Sequence, residues 1–446
     1  MKRINIFSSI TVASLVALLS CVPVAQAVTL DECIVVTLHN NPDVLAATER
    51  IQAAAAAIRE AHSAYYPMLG GSVAYARTDN APQAFMMMLN QRSVSLQSDF
   101  NNPPDTGNLA LSLGVKYRLY DFGRRGLDND MARSGAEISQ LVLSGLQNDL
   151  IHQVTRGYYS VLQAGAFVTV REESFKTLQE SLRVANERLK AGGAVKSDVL
   201  NLEVQLAQAN EDLIRARNGV KLALVALNTA MGTNMVDAAS ISGEVKMPES
   251  KPPEIEDMGV IQNRPELKVA RKAAEIQMMA VRKAGRQYMP EVNAFGSVDW
   301  NSDGSTDLQH SYVVGVAAEV DLFDGFRRSA SVAGARAQER AATAVAEGAA
   351  SKLRFDLTSA SIQAGEAWER LDVARKSIES AEEALRITRQ RYEQGAADLP
   401  ELLTAQAGLT GTRTRNVVAM YDCLISLSNL ARARGELYAK YTKNEL

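Results

Sequence analysis

The sequence predicts a mainly α-helical chain with a small β part: long coiled-coil α-hairpins carrying four strands that close a barrel only in an oligomer. Three observations predict it. The chain is one structural unit written twice, each copy has an apolar seam at coiled-coil period, and each copy has strands that alternate apolar with polar residues. Composition fits an extended assembly. Of 446 residues 46% are hydrophobic and only 6% aromatic, and 48 Lys plus Arg face 51 Asp plus Glu, for a net charge of −3. That balance lacks the electrostatic footprint of a nucleic-acid-binding protein, so no nucleic-acid partner is expected.

The first element is an export signal over residues 1–27. Lys2 and Arg3 precede an apolar stretch from Ile4 to Leu19, and Ala25-Gln26-Ala27 supplies a small-residue cleavage site after Ala27. Leu18-Leu19-Ser20-Cys21 offers a second reading, a lipoprotein box that would place a lipid on Cys21. Beyond Ala27 no run of about 18 apolar residues exists, so no helix of the mature chain is expected to span a bilayer.

The duplication follows. Asn41-Pro42 with Tyr65-Tyr66-Pro67 recurs as Arg264-Pro265 with Tyr288-Met289-Pro290, an offset of 223 residues. Leu119-Tyr120-Asp121-Phe122-Gly123-Arg124-Arg125 recurs as Leu322-Phe323-Asp324-Gly325-Phe326-Arg327-Arg328, an offset of 203 that then holds through Gly192 and Gly395 to Gly232 and Gly435. The change of offset falls on 78–108 against the shorter 301–311, and insertions collect in loops, so both segments are expected to be loops. The first copy spans 28–232, the second 257–446. Residues 233–256, with Pro248, Pro252 and Pro253, join them.

Each copy reads helix, strand, loop, strand, long helix, turn, helix. The first has helices over 31–65, 126–189 and 198–231 and strands over 68–77 and 109–119; the second has helices over 257–288, 330–392 and 400–435 and strands over 292–300 and 312–322. On the second long helix, Leu353, Leu357, Ala360, Ala364, Ala367, Leu371, Ala374, Ile378, Ala381, Leu385, Thr388 and Tyr392 alternate spacings of four and three. The equivalent seam of the first copy runs from Leu150 to Leu189, with Arg171 its one charged member. Sustained spacing of this kind means coiled-coil packing. Helix 126–189 should be roughly 95 Å long, and the two shorter helices of its copy should stack end to end beside it.

The strands suit lipid on one face and water on the other. Leu109, Leu111, Leu113, Val115, Tyr117 and Leu119 oppose Ala110, Ser112, Gly114, Lys116 and Arg118; Tyr312, Val314, Val316, Ala318, Val320 and Leu322 oppose Val313, Gly315, Ala317, Glu319 and Asp321. Val292, Ala294, Val298 and Trp300 share a face that Phe295 does not join, and Leu69, Val73 and Tyr75 share one on the first strand. A soluble sheet with one face on a core would alternate in the same way. In an exported chain with no other apolar surface for these faces, strands of about ten residues fit a transmembrane barrel. Four strands cannot close alone, and open edges in hydrocarbon leave backbone groups unsatisfied, so copies of the chain must close a ring together.

In order, spacing and duplication these motifs resemble the TolC family of outer-membrane efflux proteins, over essentially the whole mature chain. The resemblance rests on the Asn-Pro start, on Pro67 and Pro290 in the turns that lead into strands, and on the Asp-Phe-Gly and Asp-Gly-Phe exits. It rests also on two tip motifs, Arg188 to Leu200 and Tyr392 to Leu403. It implies a homotrimer whose twelve strands sit in outer-membrane lipid and whose helices form a barrel through the periplasm. It implies an exit duct of a tripartite efflux or type I secretion system, passive and gated at its periplasmic tip by a periplasmic adaptor protein and an inner-membrane pump. Asp198, Glu401 and Thr404 would then line the periplasmic aperture, Thr404 standing where a second acidic residue is often found. Gly192, Ser197, Leu200, Tyr392, Gly395, Pro400 and Leu403 would belong to the tip turns that contact the adaptor. Ala397 occupies the place of a basic latch residue of some members, with Tyr392 and Ser197 at other latch positions, so that ion-pair latch is not expected here. Asp398 and Glu401 also have capping-box spacing around Pro400, and Asp198 suits a helix N-terminus; both roles are compatible with the aperture.

Other signals point away from catalysis. Asp121-Phe122-Gly123 lacks the loops of a kinase and reads as a strand-to-helix turn, and no phosphate-binding loop exists. His39, His62, His152 and His310 have no metal spacing, Cys33 and Cys423 read as buried inert thiols, and neither a cofactor nor a metal is expected. Met86-Met87-Met88 reads as loop packing, with a soft-metal contact at a pore mouth as the alternative. No nucleophile or acid/base constellation suggests an enzyme. The rival function is a secreted coiled-coil scaffold without a pore.

Overall fold

The computed structural model describes residues 28–95, 97, 99, 101–233, 241, 247, 250–252, 258–305 and 307–438. Cys21 and Ala27 lie outside the described residues, as does most of 233–256. The first copy comprises α1 (Leu30–Asn40), α2 (Pro42–Ser63), β1 (Met68–Thr78), α3 (Ala81–Asn90), β2 (Thr106–Tyr120), α4 (Arg124–Lys190) and α5 (Lys196–Met231). The second comprises α6 (Pro265–Gly285), β3 (Glu291–Ser302), β4 (Gln309–Glu319), α7 (Arg327–Glu393) and α8 (Leu399–Arg434), with short 3-10 turns at Met258–Asn263 and Arg286–Tyr288 around α6.

The helix expected over 31–65 is two helices. Asn41 precedes a proline, which disfavours the helical region for it, and it is extended at φ −66°, ψ 127°. Its side chain serves both neighbours: Oδ1 accepts from the Asp43 N–H at 2.8 Å, and Nδ2 donates to the Ala230 carbonyl at the end of α5 at 3.0 Å. Gly232, left-handed at φ +69°, closes α5 directly beneath, where a Cβ would lie 2.8 Å from Pro42 Cδ. So α2 alone stacks on α5, while α1 steps aside and buries Cys33 and Ile34 against Ile151, Val154, Leu227 and Met231.

The second copy makes the same joint with a different residue, and its helix begins at Pro265 rather than 257. Arg264, only 2% exposed, donates to the carbonyls of Arg432 and Ala433 at the end of α8, at 3.0 and 2.7 Å, and holds Glu266 at 2.6 Å. Burial acts to raise the Glu266 pKa, but the hydrogen bonds and charge of Arg264 outweigh it and hold the carboxyl below its usual range. Two jointed rods thus run beside α4 and α7, each of 67 residues and about 100 Å long. The coiled-coil seam is the buried stripe: Leu353, Leu357, Ala360, Ala364, Ala367 and Leu371 on α7, and Leu150, Val154 and Val161 on α4.

The four strands form one antiparallel sheet in the order β1-β2-β3-β4. Its register puts Leu69, Val73, Tyr75, Leu109, Leu111, Leu113, Val298, Trp300, Tyr312 and Val314 on one face, and Ser72, Ser112, Asp299, Asn301 and Ser297 on the other. Phe295 stands on the polar face, where a Cβ on Gly315 would come within 2.7 Å of its ring. The fourth strand is 309–319, not 312–322. Its ladder ends where Glu319 meets Glu291, the first residue after Pro290, so Val320 and Leu322 keep the alternation but pair with no strand among the described residues.

Strand and helix meet through a repeated clamp. Phe122 and Gly123, like Gly325 and Phe326, take left-handed φ between 55° and 78°. Asp121 accepts from the Gly123 and Arg125 N–H groups at 3.0 and 2.9 Å, and the Arg125 guanidinium donates to the Arg118 carbonyl at 2.9 Å and lies 4.8 Å over the Tyr65 ring. Arg328 repeats this with Asp324 at 2.8 Å and Tyr288 at 4.9 Å. The turns carrying Pro67 and Pro290 are thereby tied to the exits of β2 and β4.

Candidate functional site at the hairpin tips

At the far end from the sheet, α4 turns into α5 through 191–195 and α7 into α8 through 394–398. Both turns are built the same way. Gly192 and Gly395, at φ +78° and +76°, close the helices with paired bonds: Gly193 to Arg188 and Gly192 to Leu189 in the first, Ala396 to Arg391 and Gly395 to Tyr392 in the second. This is a Schellman ending, and it requires the left-handed residue that glycine supplies without strain.

Below the turns the two hairpins share one apolar cluster. Leu178, Ala185, Val199 and Leu202 of the first meet Tyr392, Leu399 and Leu402 of the second, with Leu189, Ala397 and Leu403 partly buried around them. Tyr392 is 4% exposed, and its hydroxyl has no hydrogen-bond partner among the described residues. Arg188 lies over its ring at 4.8 Å and donates to the Tyr392 carbonyl at 2.7 Å, while also reaching the Gly193 carbonyl of its own turn at 3.2 Å. Burial pushes the Tyr392 phenol above its usual value, with Arg188 acting against it and Asp198 for it.

The repeat-equivalent of Arg188 behaves otherwise. Arg391 donates to the Ala396 carbonyl of its own turn at 3.2 Å and pairs with Glu401. Asp398 caps α8 by accepting from the Glu401 N–H at 2.9 Å, Pro400 sits in the first turn, and Thr404, exposed, donates to the Pro400 carbonyl at 2.7 Å. The capping box is therefore half made: the Glu401 carboxylate turns to Arg391 instead of returning to the cap. On the first hairpin Val195 stands at the cap without a side-chain bond, and Asp198 has no ion pair among the described residues. Ser197 and Leu200 are exposed.

The structure thus brings Tyr392 and Leu403 together in the shared cluster and leaves Gly192, Ser197, Leu200, Gly395, Pro400 and Thr404 on the outside of the turns. Arg188 opens the first tip motif and Arg391 directly precedes the second, and neither has a role that the sequence pattern shows. Their signal was the recurrence of Arg, at an offset of 203, at the third residue from the end of a long helix. Cys33 and Cys423 are both buried and free, and burial pushes the Cys33 thiol up to about 11. Among the described residues no group of three or more His, Cys, Asp or Glu could hold a metal, and no helix is long and apolar enough to cross a membrane.

A family profile described as outer membrane efflux protein matches residues 33–233 and 259–436, both copies of the repeat. The chain belongs to the outer membrane efflux protein family. Family membership places the chain in the outer membrane, reaching into the periplasm, and makes it an exit channel; the reading as a secreted scaffold without a pore is set aside. Among relatives, Protein CyaE of Bordetella pertussis is 25% identical over 424 residues, covering 91% of this chain and 84% of that one. The outer membrane protein TolC of Vibrio cholerae is 21% identical over 419 residues, covering 90% and 89%. In fold, the Campylobacter jejuni CmeC outer membrane channel is similar with a TM-score of 0.80 at 17% identity, covering 93% of this chain and 89% of that one.

Proposed function

We propose that three copies of this chain form the duct, each supplying four strands to a twelve-stranded barrel and two hairpins to a helical tube below it. The observation that carries this reading is the open sheet. β1 and β4 are edges with no partner among the described residues, and Leu69, Val73, Tyr75, Tyr312, Val314 and Val316 are more than half exposed on its apolar face. Pairing β1 of one copy with β4 of the next removes every edge and turns the apolar face to lipid. The helices support the same closure: Leu222 and Val225 on α5 and Phe355 and Ile362 on α7 are also more than half exposed. Sizing in detergent should give a trimer, extracted from membranes by detergent and not by salt; a water-soluble monomer would end this reading.

The tips are the gate. Opening requires the second hairpin to leave the first, and Arg188 on Tyr392 opposes it together with the shared apolar cluster. A periplasmic adaptor that binds the separated form better, through the exposed turns around Ser197, Leu200 and Pro400, would shift the population toward open, with an inner-membrane pump supplying solute or unfolded polypeptide. Asp198 and Glu401 would ring the aperture and favour cations. Asp198→Ala with Glu401→Ala should lower cation preference in single-channel recordings, and unchanged selectivity would refute the charged ring.

A further inference from the structure

The insertion that distinguishes the first copy is not the plain loop that its sequence suggested. It contains α3, begun by Asn80, whose Oδ1 accepts from the Gln83 N–H at 3.4 Å, with Pro82 in the first turn. This helix touches both β2 and β4. Those strands are separated by β3, so α3 does not follow a side edge but sits over the end of the sheet where β2 and β4 begin. Which face it lies toward is settled by its anchor. Gln91, just after the helix, donates to the Gly107 carbonyl at 2.7 Å and to the Asn108 side chain at 2.9 Å, and Asn108 donates on to Asn301 at 2.8 Å. Asn108 and Asn301 belong to the polar face, and Gln91, Thr106, Asn108 and Asn301 are all buried there. Arg92 adds a bond to the His310 carbonyl on β4 at 3.1 Å.

Ala84 and Met88, four residues apart, are the buried side of α3; Met86 lies on the opposite side, 55% exposed, with Leu89 45% exposed beside it. The geometry points to α3 as a collar inside the outer mouth of the duct, its Met86 and Leu89 lining the passage as apolar, permeation-limiting residues. This inference rests on the trimeric duct: the polar face is the lumen only if the barrel closes, and three copies then bring three such helices around one axis. An apolar constriction of this kind holds back water and ions and passes apolar or amphipathic solutes more readily than hydrated ones. The Met86 to Met88 run is divided accordingly, Met88 to packing and Met86 to the passage.

The test is planar-bilayer recording of the full-length trimer in an Arg188→Ala background, which removes the tip contact so that the far end does not dominate resistance. Gln91→Ala releases the anchor and should raise conductance by roughly twofold. Met86→Glu places three carboxylates in the passage and should shift the reversal potential toward cation preference, whereas Val73→Glu on the apolar face should not. If trimers form channels but Gln91→Ala and Met86→Glu leave both conductance and selectivity unchanged, the collar is overturned and the duct stands. If the purified background protein forms no channels, the duct reading itself fails and the collar with it.

Discussion

The two hairpin tips are copies of one design, and they differ where a helix begins, not where one ends. Both α4 and α7 close on a left-handed glycine with an arginine three residues before the cap. In the second hairpin, Asp398 caps α8 and Arg391 is engaged by Glu401 within the same turn. In the first, Val195 offers no cap, and Asp198, one methylene shorter than Glu401, forms no ion pair with Arg188 among the described residues. That arginine crosses to Tyr392 of the other hairpin. Duplication has let one copy become self-contained while the other lends its equivalent group to hold the pair together.

The largest expected effect breaks the contact between them. Tyr392→Ala removes a buried aromatic from the shared cluster and should cost the tip about 3–5 kcal/mol of local stability, seen as faster amide exchange over the last turn of α7 and the start of α8. Tyr392→Phe removes a hydroxyl that is buried without a partner among the described residues, so it should be neutral or stabilising. Arg188→Ala and Tyr392→Ala should be strongly non-additive, because each abolishes the same stacked pair. Additive losses would mean the hairpins are held by something else.

The copies differ again midway along the rods, where His152 of α4 corresponds to Phe355 of α7. His152 lies 3.0 Å from Ser428, and burial, then Arg432 and Arg156, push its pKa down to about 4. The unfolded chain binds this proton near pH 6.5 and the folded one only near 4, so its contribution is complete above 6.5 and is lost as pH falls between them. After solvent screening the loss should be about 1–2 kcal/mol. Helix melting of wild type at pH 7 and 4.5 should show a larger drop than His152→Gln; equal drops would refute it.

Much of this architecture was legible in the sequence because duplication and period are one-dimensional. The seam could be read from Leu353 to Leu371 and proved to be the buried stripe. Two local features had signals that the longer pattern hid. The break at Asn41 was announced by Pro42, yet apolar spacing ran across it. α3 is announced by Asn80 and Pro82, yet the tendency of insertions to be loops points the other way. What no pattern carried was contact between copies. A repeat shows that Arg188 and Arg391 are equivalent, not that one faces Tyr392 and the other Glu401, because that choice follows from which face of each hairpin meets the other.

Capping gives a smaller and cleaner contrast. Asp398→Ala should cost about 1 kcal/mol, since the Glu401 N–H then loses its acceptor. Val195→Asp should add a comparable amount at the equivalent position of α5, where the cap residue is already extended at φ −98°, ψ 151°. Amide exchange over the first turns of α5 and α8 would read both. If Val195→Asp slows exchange and leaves Arg188 on Tyr392, the missing cap is a local economy of sequence; if it also opens the tip, the loose start of α5 is part of what lets Arg188 reach across.

The smallest effect is the ion pair that makes the second tip self-contained. Arg391 and Glu401 have side chains 48% and 42% exposed, so water and salt screen them, and a double-mutant cycle should return only about 0.2–1 kcal/mol, less at high salt. The more telling variant transfers the device. Asp198→Glu gives the first hairpin the longer carboxylate of the second and a partner for Arg188 within its own turn. If commitment of the arginine is what separates the tips, Asp198→Glu should weaken the Arg188–Tyr392 coupling even though it adds an attractive pair. An unchanged coupling would show that Tyr392, not the length of residue 198, decides where Arg188 points.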